Sequence, residues 1–77
     1  MAKKPKMLHE VIAHVLASQP NKMASTAFIS RQIARQKLWA RPQDGEFPDA
    51  FQIRLRVRSK RYRHLFEMPD DLTVRMK

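Results

Sequence analysis

Residues 49–66 read DAFQIRLRVRSKRYRHLF, and no other stretch limits the fold so tightly. Phe51, Ile53, Leu55 and Val57 fall on alternate positions with Gln52, Arg54, Arg56 and Arg58 between them, and six basic residues lie between positions 54 and 63. Alternation of this kind is the mark of a strand with one apolar face. Three observations favour a helix instead. Pro48 followed by Asp49 suits a first helical turn, with the acid beside the positive end of the helix dipole. Arginine is a good helix former. Without a helix here, the remaining elements would enclose only a thin core. On a helix, Ala50, Ile53 and Val57 share one face, whereas Phe51 and Leu55 point roughly the opposite way and need cover from a hairpin, from Trp39 or from a second subunit. Gln52, Leu55, Arg56 and Ser59 then lie furthest from the core, and Arg54, Arg58, Lys60 and Arg61 lie on the flanks or nearer to it.

The rest of the chain supplies what such a helix could pack against. Met7, Leu8, Val11, Ile12, Val15 and Leu16 make one apolar stripe at helical spacing, so a helix is expected from Lys6 until Pro20 and Asn21 stop it. Lys22 to Ala24 form a link with one or two residues of strand, and Ser25 or Thr26 can cap a second helix through a hydroxyl. In AFISRQIARQKLW, residues Phe28, Ile29, Ile33 and Leu38 face inward while Arg31, Arg35 and Lys37 stay solvated. ARPQDGEF follows as a loop holding the single glycine, with Asp-Gly as its turn. HLFEMPDDLTVRMK reads as a hairpin: Leu65, Phe66 and Met68 on one arm, Leu72, Val74 and Met76 on the other, and Pro69, Asp70 and Asp71 in the turn. Two strands alone are marginal in water, so the hairpin must lean on the helices, and the Met23 segment is a candidate to pair with it.

Charge narrows the choice of partner. The 77 residues carry a net charge of +9, of which +5 falls within residues 48–64. A cluster of this kind favours a polyanion, since neutralising phosphates releases counterions without requiring any particular sequence. A chain this short buries only about 60% of the surface it exposes when unfolded, which leaves little room for a deep catalytic cleft. With no cysteine there is neither a disulfide nor a thiolate site. His9 and His14 lack the i, i+4 spacing of a zinc pair, and His64 has no nearby ligand. Asp70 and Asp71 read as turn residues, the serines lie in no nucleophile-elbow context, and one glycine makes no phosphate-cradling loop. The expectation is therefore a non-enzymatic chain with no cofactor, metal, small-molecule substrate or membrane span, located in the cytoplasm.

The order of elements, with MAST leading into helix two, KLW at its exit, FPDA opening helix three, RHLF before the wing and a terminal LTVRM strand, resembles a winged helix of the HARE type. This small domain is also seen at the amino end of the bacterial RNA polymerase delta subunit and fused to DNA-modifying systems. The resemblance covers residues 7–77. It implies an α+β winged helix of three helices plus a C-terminal β-hairpin wing with a short third strand, residues 6–77 forming one domain behind a basic disordered tail at 1–5. It also implies double-stranded DNA, ahead of RNA, as partner in a regulatory or accessory role, with helix three in the major groove and the wing on the backbone. Carried onto this chain, Gln52 and Arg56 read base edges, with Ser59 on the same face. Arg54, Arg58, Lys60, Arg61, Arg63 and Arg75 hold phosphates, helped by Lys77 and the MAKKPK tail. The alternative is a protein-interaction domain, a homodimer or an acidic partner, using Trp39, Phe51 and Leu55.

Overall fold

In the computed structural model, which describes residues 7–41 and 44–77, the first apolar stripe winds into α1 (Leu8–Ala17) and buries Leu8, Val11, Ile12, Val15 and Leu16. Met7 falls outside the stripe: it is the residue before the first turn and stays exposed. Lys6 as helix start, the 1–5 tail and the phosphate role of MAKKPK lie outside the described residues. Pro20 to Lys22 form one tight 3-10 turn, with Asn21 and Lys22 both at positive φ.

The link that follows is a strand, β1 (Met23–Ser25), running directly into α2 (Thr26–Gln36). Of the two candidate caps, Ser25 takes the position, accepting from the Phe28 N–H at 3.0 Å, while Thr26 is buried as the first helical residue. Ile29 and Ile33 are fully buried; Phe28 and Leu38 pack against the core from its edge. The helix ends with Lys37 in the left-handed region, the Leu38 N–H donating to the Ile33 carbonyl and the Lys37 N–H to that of Ala34. Glycine usually closes this double-bonded C-terminal motif.

Residues 50–58 are helical and form α3 (Ala50–Arg58), and a hydrogen-bonded turn through Leu65 follows. Asp49 caps α3, accepting from the Gln52 N–H at 2.9 Å. Pro48 therefore precedes the cap and does not open the first turn. It is buried, and the Ser30 hydroxyl donates to its carbonyl at 2.7 Å, pinning the start of α3 to α2. Because either acid-oxygen or hydroxyl cap removes one orphan N–H, Asp49→Ala and Ser25→Ala are each expected to lower unfolding free energy by about 1 kcal/mol in urea titrations.

The hairpin is β2 (Phe66–Asp70) and β3 (Thr73–Met76), and β3 is also flanked by β1, giving an antiparallel sheet of order β1-β3-β2. The Met23 segment, the candidate third strand, pairs with the hairpin through β3. Ala24, Val74, Phe66 and Met76 face the helices, while Met23, Glu67 and Arg75 share the opposite face. The turn sits one step later than its composition suggests. Pro69 and Asp70 belong to β2, where the register slips between Glu67 and Asp70, and a bulge of this kind accommodates a residue with no N–H to donate. Leu72 is then at the tip, 69% exposed, rather than on the inward arm. The Asp70 carboxylate drives this choice by accepting from the Leu72 N–H at 2.8 Å and the Thr73 hydroxyl at 3.2 Å. Together the three helices and the hairpin-tipped sheet make a small α+β winged-helix arrangement.

The same hydrogen bonds, the Leu72 N–H first, hold the Asp70 carboxyl below its ordinary pKa. A folded-state pKa that is depressed contributes stability above the unfolded value and loses it as pH falls through the folded one. Acidification through and below the ordinary carboxylate range is therefore expected to loosen the wing tip, seen as concerted movement of the Leu72 and Thr73 amide resonances, and Asp70→Asn should flatten that response.

Candidate nucleic-acid interface

The surface in question is built by α3, which is anchored by two buried side chains and exposed along the opposite side. Ile53 and Val57, one turn apart, are buried against α1, α2 and the sheet. At about 100° per residue, the opposite side must then carry Phe51, Leu55 and Arg58, with Gln52 and Ser59 beside them. All of these except Ser59 are exposed, Phe51 by 59% and Leu55 by 51%. No part of the described chain covers the two apolar side chains.

Arg56 and Arg58 exchange the places the sequence reading gave them. Arg58 is outward. Arg56 is half-buried on the inner flank, with its guanidinium carbon 5.7 Å from the Tyr62 ring centroid, in cation–π range. Tyr62 is itself buried and stacks on His9 of α1 at 4.1 Å between centroids. Sequence patterning missed Tyr62 because it stands among cations in RYRHLF. Its role is to fold the post-helix turn back onto α1. That turn is closed by the Tyr62 and Arg63 N–H groups donating to the Ser59 carbonyl at 3.0 and 2.9 Å, and the Ser59 hydroxyl accepts at 3.4 Å from the Arg61 N–H. Ser59 thus closes the turn through both its carbonyl and its hydroxyl.

The consequence is a row of exposed cations leaving the end of α3: Arg58, Lys60, Arg61 and Arg63. None of the four is in an ion pair among the described residues. Arg58 and Arg63 converge on a hollow of about 300 Å³ between α3 and β2, lined also by Val57, Phe66, Glu67 and Met68. Lys77 adds an exposed charge nearby in the chain fold, its N–H donating to the Leu65 carbonyl at 3.1 Å. Arg54 leans towards the wing tip, 3.7 Å from Asp71, a contact between largely solvated groups that holds little energy and leaves the guanidinium available. Arg75 differs. It is paired with Glu67 across the hairpin, on the sheet face turned away from the helices, and so lies apart from the cations that follow α3.

Trp39 lies apart from Phe51 and Leu55. With Leu8, Phe47 and Pro48 it lines a hollow of about 370 Å³ beside the start of α3, bordered by Gln52 and Arg56. The loop on its rim is stiffened by the Arg41–Asp44 pair at 2.9 Å, and the Asp44 carboxyl lies below its ordinary pKa through the Glu46 N–H first and the Arg41 guanidinium second. Gly45, at φ +73°, allows that tight turn. Among the described residues no group of three His, Asp or Glu side chains is placed to hold a metal, and no helix is long and apolar enough to cross a membrane. No family model, curated protein or solved structure matches the chain.

Proposed function

We propose that the chain binds double-stranded DNA through α3 and the turn that follows it, as a winged helix of the HARE type in a regulatory or accessory role. The observation that carries this reading is the run Arg58, Lys60, Arg61 and Arg63 at and just beyond the end of α3, four exposed cations free of ion pairs among the described residues. A helix of this width fits a major groove, and cations along its end and flank reach the phosphates that border the groove. With Arg54 exchanging Asp71 for phosphate, five contacts predict a slope of about −4.5 for log affinity against log salt. Fluorescence anisotropy of a random-sequence duplex across low to physiological salt tests this. A steep negative slope supports the reading, and absence of binding even at low salt removes it.

A second reading rests on one observation, the exposure of Phe51 and Leu55. In it α3 docks onto a protein, a second copy or an acidic partner. Sedimentation that depends on concentration for the wild type, and ceases to do so in Leu55→Lys, would support the homodimer form.

A further inference from the structure

We propose that Phe51 and Leu55 are the residues with which α3 distinguishes sequences, and that they do so by contact with the C5-methyl groups of thymine in the major groove. The proposal rests on the duplex-binding reading above and adds a preference for A·T over G·C pairs. Both side chains are more than half exposed, yet the core closes without them, since Ile53 and Val57 of the same helix are almost completely buried. They are four residues apart and so lie side by side on one helix face.

Charge decides what can cover them. Arg58 shares the outward side of the helix with this pair, Arg54 lies half-buried on its flank, and Lys60, Arg61 and Arg63 follow directly. A twofold contact centred on this pair would bring two strongly cationic surfaces together, a cost that an anionic partner does not carry. A major groove presents the reverse: anionic rims and, on its floor, the thymine methyl as its apolar feature. Four residues of helix rise about 6 Å, close to two base steps of about 3.4 Å, so the pair can meet methyls two steps apart when the helix lies along the groove. Gln52, exposed beside them, has the amide geometry that suits adenine. Arg56, which would suit guanine, is turned inward over Tyr62. Phe51, Leu55 and Gln52 therefore favour the same base pair, while Arg58, the fourth outward residue, is assigned to phosphate with the cations that follow it.

The test compares wild type with the double variant Phe51→Ala, Leu55→Ala on three duplexes of equal length: alternating A·T, the same duplex with deoxyuridine for thymine, and alternating G·C. Deoxyuridine removes only the methyls and keeps charge and base-edge hydrogen bonds. Two methyl contacts predict that wild type binds the thymine duplex about tenfold more tightly than the deoxyuridine duplex, and that the variant binds the two alike with an unchanged salt slope. If wild type binds all three equally but with a steep salt slope, the methyl contact is wrong and duplex binding stands. If wild type binds none of them, both fail. If the double change abolishes a concentration-dependent dimer, the pair is a subunit interface and the proposal is overturned.

Discussion

Replacing Arg58, Arg61 and Arg63 together with Ala is expected to weaken duplex binding on the order of a hundredfold at physiological salt and to make the salt slope shallower by about 2.7. The expectation follows from geometry as much as from charge. Each of the three is exposed and none is engaged in an ion pair among the described residues, so each can give its full charge to a phosphate. For the same reason their loss should leave stability within about 0.5 kcal/mol of wild type, because nothing in the fold leans on their charge. The matching control is Arg31, Arg35 and Lys37 of α2 and its exit, also exposed, whose removal changes net charge equally. If the two triple variants lose affinity to the same degree, the protein attracts DNA by overall charge alone and α3 has no special place in binding.

The second large effect concerns stability. Ile53→Ala is expected to lower unfolding free energy by about 2–5 kcal/mol, and Leu55→Ala to change it by less than about 0.5 kcal/mol. Ile53 is 0% exposed in the centre of the core, and truncation there loses both transfer energy and packing contacts. Set against a total of roughly 4–12 kcal/mol for a chain of this length, the first change removes a large share of the stability. The contrast between the two is diagnostic of the helix. On a strand, Ile53 and Leu55 would share one face and both would be costly to truncate; on α3 they point to opposite sides. Urea titration of the two variants side by side distinguishes the geometries, and comparable losses would favour the strand.

Much of this arrangement is legible in the letters, and the departures have identifiable causes. The Leu8–Leu16 stripe and the Ile29–Ile33 pair read correctly because helical spacing and burial coincide there. In α3 they do not coincide: two side chains suffice to anchor it, so exposed Phe51 and Leu55 imitate a strand pattern. The start of α3 falls two residues beyond Pro48 because Pro48 and Asp49 are both favourable near a helix N-terminus, and the carboxylate wins the cap by reaching the Gln52 N–H. Leu72 looked like an arm residue, but the Asp70 side chain fixes the turn around it. The interface was harder. Composition located the cations but not their engagements, since pairing of Arg75 with Glu67 and the cation–π contact of Arg56 with Tyr62 depend on which elements meet. Tyr62, surrounded by charge, carried no period that would have marked it as core.

Amide chemical-shift mapping of the protein titrated with a short random duplex tests the central claim most directly. The account predicts perturbations concentrated on Phe51, Gln52, Leu55 and the run from Arg58 to Arg63, with smaller changes near Asp71 and Lys77 and none along the outer side of α1 around His14. Perturbations centred on α1 or α2, or no perturbation at low salt, would contradict it.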